Sequence, residues 1–365
     1  MFGRVWNFLK RHRRKFLWTG VVVSGVYVTG RYALYKLKQL QEKDAADCLE
    51  HARKQHHFDS NQRTCNTTVL SMIPSLREAI VKILNTEEMT ASLKNNPENR
   101  LEIWEDLKIE SFVRSIVSVY GSCLLAVVLR VKLNVIGGYM YLDSCMNRNG
   151  MSKELSVATN EIQQIYLERV QFILNEGLQL MIKDVTESVQ HEIGSKSLKE
   201  NLTLCDIDHI LRNVRQHLEH RDQQQQQHPF YHLCRYIIPS QDLYNENTEI
   251  LASRQDRFMH QLINETTDMF ESTDFRSVLS NCLDKGFSRL VDRISDYFKP
   301  PSNLSSEHVK IPLAKLIPIT NGLIYIVLAD IPNQFIQEIL LMDEVKDFAA
   351  NIYEAFSQPP LHNIT

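Results

Sequence analysis

Residues 16 to 30, FLWTGVVVSGVYVTG, carry no charge and follow a segment in which Lys10, Arg11, Arg13, Arg14 and Lys15 crowd five cations into six positions. A run of this kind settles in a bilayer, a secretory leader or a protein core, and each choice dictates a different fold for the residues beyond it. Fifteen residues rise about 22 Å as a helix, short of the roughly 30 Å hydrocarbon layer. Tyr32, Ala33, Leu34 and Tyr35 extend the apolar character, and Arg31 near the helix end can snorkel to the headgroups. Trp18, Tyr32 and Tyr35 sit near the two ends, where aromatic rings favour the interface. The leader reading finds no small-x-small cleavage site, only the charged run Lys36, Lys38, Glu42, Lys43. The core reading must bring five cations to the edge of a core. Both stay open beside the anchor that the pattern favours: residues 1–15 a basic N-terminal segment, 16–35 a transmembrane anchor, 36–58 a helical stalk. Six Lys and Arg precede the span and about four come closely after it, so the positive-inside rule weakly favours a cytosolic N-terminus.

The rest of the chain reads as helix. Only 12 Gly and 11 Pro punctuate 365 residues, too few for the turns of a sandwich or barrel. Apolar residues recur at helical spacing at Val69, Leu70, Ile73, Leu76, Ile80 and Ile83, giving a helix over 67–84 around Pro74. Further helices are predicted at 87–94, 100–142, 152–193, 204–218, 249–271, 275–298, 311–328, 333–342 and 345–356. The expected fold is all-α: one transmembrane helix continuing into a large, elongated cytosolic bundle over 59–357, with a flexible tail at 358–365. Residues 115–129 are uncharged and compete for the role of a second span. Closed by Arg114, Arg130 and Lys132 after 15 residues, they fit better as the central core helix of the bundle. Gln223 to Gln227 reads as a surface loop, and Lys299, Pro300, Pro301 and the serines after them as a linker.

Several function classes are disfavoured. The 41 Lys and Arg against 44 Asp and Glu leave no global basic field for nucleic acid. Seven cysteines (Cys48, Cys65, Cys123, Cys145, Cys205, Cys234, Cys282) are scattered, with no CxxC knuckle and no even disulfide framework, which fits a reducing compartment. Asn-x-Ser/Thr triplets at Asn66, Asn201, Asn264, Asn303 and Asn363 are read as chance matches. No phosphate cradle, zinc signature or nucleophile elbow occurs. His56-His57 and the i,i+3 pair His217/His220 lack a Cys or carboxylate at fixed spacing, so surface histidine is the plainer reading. No enzymatic activity, catalytic residue, metal ligand, cofactor or small-molecule substrate is expected.

One local pattern asks for a partner. At 100° per residue, Arg100, Leu101, Leu107, Lys108 and Ser111 fall within about 60° of Trp104, whereas Ile109, Phe112, Ile116 and Tyr120 point about 80° to 160° away. One helix thus carries two apolar stripes. The Trp104 stripe is either a groove wall, with large apolar anchors edged by cations and suited to an acidic-flanked amphipathic helix, or a second buried face of a three-layer bundle.

The runs VWNFLKRH (5–12), FDSNQRTCN (58–66), TVLSMIPSLREA (68–79), LEIWEDLKI (101–109), LNVIGGYMYLD (133–143), DKGFSRLVD (284–292) and EVKDFAANIYEAFS (344–357) resemble the vertebrate peroxin-3 family. The likeness covers nearly the whole chain and thins at about 144–165, 219–250 and 300–310. The resemblance implies a short matrix-side segment, a single peroxisomal membrane span and a cytosolic helical domain. That domain would dock peroxin-19, the soluble carrier of peroxisomal membrane proteins, and so support their insertion and assembly of the organelle membrane. This orientation opposes the nearly balanced positive-inside count. The resemblance also implies a targeting role for Lys10, Arg11, Arg13, Arg14 and Lys15. Its docking groove, carried over position by position, falls on Leu93, Arg100, Trp104, Leu107, Lys108 and Asn134, with peroxisomal lipids as the other partner. Two rival readings remain: a membrane-anchored lipid-handling protein, which requires an enclosed apolar cavity, and an organelle tether, which requires a separate exposed patch after residue 200.

Overall fold

The structure, a computed structural model, describes residues 13–95, 97–148, 158–224, 231–239, 254–298 and 309–358. It divides into two compact units, Met1–Asp59 and Ser60–Thr365. Helix α1 (Arg13–Ile83) runs unbroken for 71 residues through the predicted anchor, the predicted stalk and the predicted 67–84 helix. Those stretches are one element because nothing between 36 and 83 stops a helix except Pro74, whose missing N–H removes a single backbone bond. In the first unit every residue from 27 to 53 is exposed, including Tyr27, Val28, Tyr32, Leu34, Tyr35 and Leu37.

The second unit is built around α3 (Arg100–Arg148). From Leu107 to Gly138 every residue except Glu110 is buried. It is surrounded by α2 (Thr86–Lys94), α6 (Glu176–Ile193), α9 (Arg254–Glu271), α10 (Thr273–Ser295), α11 (Leu313–Gly322), α12 (Ile324–Val327), α13 (Gln334–Leu340) and α14 (Asp343–Phe356). Residues 60–83 of α1 lie antiparallel on it, Asn61 at Asn134, Gln62 at Arg130 and Leu76 at Gly121. The most apolar window of α3 is long enough to cross a membrane yet wholly buried in protein, so 115–129 is the core helix of the bundle. Its serines fit there because each hydroxyl bonds backward along the helix: Ser115 to Ser111 O, Ser118 to Arg114 O, Ser122 to Val119 O. The closing cations also find partners, Lys132 lying 4.5 Å over the Tyr166 ring. Gly138 is required where the last turn of α14 crosses: a Cβ there would stand 2.6 Å from the Phe356 carbonyl carbon.

Three expectations are corrected. The predicted 152–193 helix is three helices, α4 (Asn160–Glu168), α5 (Gln171–Leu174) and α6, its first residues lying outside those described. The last break precedes Gly177, where a Cβ would stand 2.1 Å from Tyr236 O, so a tertiary contact rather than local propensity sets it. The predicted 311–328 helix starts with a strand residue pair: β2 (Ile311–Pro312) pairs antiparallel with β1 (Asn201–Leu202), and α11 and α12 come next. Helix α7 (Leu204–Gln224) takes in Gln223 and Gln224 of the predicted glutamine loop, whose other residues lie outside those described. The remaining short helix is α8 (Tyr231–Cys234). The 299–306 linker also lies outside the described residues.

Candidate partner-binding site

Helix α2 begins where Asn85 accepts a hydrogen bond from Glu88 N–H, and Glu87 and Glu88 place negative charge in its first turn, both favourable at a helix N-terminus. Its only fully buried residue is Thr86, with Met89, Ser92 and Leu93 half-buried. The chain turns at 95–99 and enters α3 at Arg100. Ile103 and Trp104 are half-buried, Arg100 is exposed, and Leu101 is 70% exposed. Leu107 is buried, yet neither it nor Leu93, Met89, Ile103 or Trp104 belongs to the contiguous core, which takes up α3 from Ile109 onward. The two stripes of α3 therefore differ: Ile109, Phe112, Ile116 and Tyr120 are core, and the Trp104 side is a separate apolar surface.

Because Thr86 lies level with Arg114 and α2 packs on α3, Leu93 at seven residues and about 10 Å further along comes level with the Trp104–Leu107 turn. The opposite side is backbone. Lys108 Nζ donates to Gly194 O at 3.1 Å and Lys196 O at 3.0 Å, and pairs with Glu105 at 2.5 Å. That seats the segment after α6 against α3, and Ala314 N and Leu313 N then bond Leu198 O and Glu200 O to hold it from behind.

Two expected members of the groove need correction. Lys108 is 1% exposed and spends its donors on Glu105 and on the carbonyls of Gly194 and Lys196 just after α6, so it offers no charge to a partner's acidic flank. Asn134 is fully buried and thirty residues beyond Trp104, about 45 Å along the helix at 1.5 Å per residue, too far for one groove. It accepts from Asn61 and Gln62 and donates to Arg130 O, tying α1 to α3. The structure thus brings together Leu93, Trp104 and Leu107, with Arg100 at the edge. Sequence reasoning did not single out Ile103 and Met89, half-buried on the same two helices and likewise outside the contiguous core, or the 194–200 segment, which no local signal marks.

Charge around this surface is mixed, with Lys94 and Arg100 exposed beside the acidic side chains. Glu102 and Asp106 are exposed, and Glu110 is half-buried with one carboxylate oxygen lacking a partner. Burial and the charge of Asp106 push the Glu110 carboxyl up, with Arg114 opposing them. Of the expected targeting cations, Lys10 and Arg11 lie outside the described residues, as do the side chains of Arg13, Arg14 and Lys15.

Elsewhere a cleft of about 660 Å³ opens between α7 and α10 over Leu211, Phe287 and Val291. Its rim carries Asp208, Arg212, Arg215, Asp284 and Asp292, so it is not the enclosed apolar chamber that lipid handling requires. Among the described residues no three His, Cys, Asp or Glu side chains gather as metal ligands do.

A buried central helix, sheathed by others and bearing an apolar surface outside the core, makes this an all-α protein. The Peroxin-3 family profile matches residues 7–101 and 94–355, and the chain belongs to that family. It is 47% identical over 98% of its length to Peroxisomal biogenesis factor 3 of Rattus norvegicus and 46% identical over 98% to that of Homo sapiens, in each case covering 99% of the relative. It is 24% identical over 96% of its length to Peroxisome biogenesis protein 3-2 of Arabidopsis thaliana, again covering 99% of the relative.

Proposed function

We propose that the chain is a peroxisome biogenesis factor that works as a docking receptor: anchored in the peroxisomal membrane by residues 16–35, facing the cytosol with its second unit, and binding the N-terminal amphipathic helix of peroxin-19. The basic residues Lys10, Arg11, Arg13, Arg14 and Lys15 serve targeting on the matrix side. The twenty residues of the anchor rise about 30 Å as a helix, the thickness of the hydrocarbon layer. The single observation that carries docking is the surface of Leu93, Ile103 and Trp104, half-buried, apolar and outside the contiguous core. Such a surface accepts the apolar face of a helix, with a tryptophan as its natural anchor. Leu107 forms its floor, Arg100 its charged edge, and Lys108 supports the far wall. Family membership supports the organelle, and the relatives' names support the biogenesis role.

The test titrates the full chain in lipid nanodiscs with a peptide of the carrier's N-terminal helix. Trp104→Ala is expected to lose about 2 kcal/mol or more of binding, roughly 30-fold, at unchanged circular dichroism. Binding indifferent to the substitution would move the site, and a folded wild type that binds no peptide would remove the docking reading.

A further inference from the structure

Helix α2 carries one wall of the proposed groove but is poorly anchored by apolar burial. Only Thr86 is fully buried, and neither Met89 nor Leu93 joins the contiguous core. What holds it is polar and concentrated at its first turn. Arg114, wholly buried on α3, grips Glu87 with both ends of its fork, Nη2 to Oε1 at 2.8 Å and Nη1 to Oε2 at 3.0 Å. The same guanidinium donates to Thr86 Oγ1, to Asn321 Oδ1 at 3.1 Å and to Tyr325 OH at 3.2 Å, and lies 5.5 Å from the Tyr325 ring centroid. Thr86 donates to Asn321 at 2.7 Å, and Tyr325 OH to Glu87 at 2.9 Å. One residue of the central helix thus pins α2 to α11 and α12.

We infer that the Arg114–Glu87 pair is a latch that fixes the position of α2, making both residues positioning residues for the helix docked at Trp104. The inference rests on the docking reading. Two-point charge-assisted bonding fixes orientation as well as distance. A helix of nine residues moves as a rod, so an error at Glu87 appears undiminished at Leu93, six residues and about 9 Å away. The two partners differ in environment: Arg114 is 0% exposed and Glu87 46%. The cation stays in place while the carboxylate can release, which puts the adjustable half on the helix that moves. Segments with few buried apolar contacts open locally before the rest of a protein does.

Glu87→Gln tests this without burying a new charge. Glu338→Gln serves as control, since it breaks the Arg289–Glu338 pair between α10 and α13, away from α2. Each full-length variant in nanodiscs is measured twice: hydrogen exchange of amides 88–94 in the free protein, and the dissociation rate of the carrier-helix peptide. Glu87→Gln is expected to speed exchange in 88–94 about tenfold and the peptide's release several-fold, while Glu338→Gln changes neither. Glu87→Asp, which keeps the charge, is expected to restore part of both. Unchanged exchange overturns the latch. Faster exchange with unaltered release overturns the link to docking, and faster release with unaltered exchange shows that Glu87 touches the partner itself. A wild type that binds no peptide fails the docking reading before any variant is compared, and the positioning role with it.

Discussion

The two ends of the buried stretch of α3 handle charge in opposite ways. Near its start, Arg114 and Lys108 are buried cations paired with carboxylates, Glu87 and Glu105, that reach solvent. Near its end, Arg130 is 2% exposed and, among the described residues, has no ion pair: it bonds Gln62, Asn66 and Leu340 O. Burial lowers its pKa, opposed by the neighbouring Cys65, whose own thiol burial pushes up to about 11. Neutral partners seal the Arg130 end permanently, because amides cannot be protonated or competed away by a surface ion. Carboxylate partners leave the other end responsive, and that is the end beside the apolar surface.

Breaking the sealed end gives the largest expected effect. Arg130→Ala empties a buried site and strands Gln62 and Asn66, costing about 3 kcal/mol or more of stability in urea unfolding. Peptide affinity per folded molecule is expected to stay unchanged; an affinity loss at full stability would show that this end takes part in docking. At the responsive end, Lys108→Met leaves the carbonyls of Gly194 and Lys196 unpaired and is expected to cost about 1–3 kcal/mol. Its signature is faster exchange of amides near 190–196. A peptide affinity whose salt dependence drops in this variant, with exchange unaltered, would return Lys108 to the role of a direct charge contact.

Acid provides the smallest and most reversible probe. Glu87 sits below its ordinary 4.5: burial pushes the carboxyl up, but bonds from Arg114, its own backbone and Tyr325, with the charge of Arg114, outweigh it. A carboxyl depressed on folding stabilises above its unfolded pKa, and that contribution fades as pH falls from about 4.5 through the lower folded value. Exchange of 88–94, corrected for its intrinsic pH dependence, is therefore expected to quicken on acidification below about 4.5 and to do so less in Glu87→Gln. Equal pH dependence in the two proteins would assign the loosening to another group.

Much of the helical order was legible because period and punctuation are local. The core stripe of Ile109, Phe112, Ile116 and Tyr120 comes from a 100° step, and the end of α2 falls where the predicted 87–94 helix stops. The joins were less legible. Nothing near 168–177 announces that Tyr236 O will crowd Gly177, and nothing near 311 announces pairing with Asn201 and Leu202. At the site, Trp104 stood out as a large apolar residue off the core stripe, whereas Leu93 came from the family resemblance alone. Lys108 misled, because a cation beside an apolar stripe looks solvent-facing until the Gly194 and Lys196 carbonyls it bonds are known.

By itself the sequence determined an all-α chain with a basic, uncharged, then charged N-terminus, a central apolar helix with two faces, and membership in its family. Those properties depend on spacing and residue type along a few turns, and they survive in any arrangement of the helices. Only the tertiary structure decided which polar residues face inward. Lys108, Arg114, Arg130 and Asn134 are all buried on one helix, and each bonds a partner between three and more than two hundred positions away. Burying a charge is tolerable only where such partners converge, and convergence is a property of the fold rather than of any stretch of sequence.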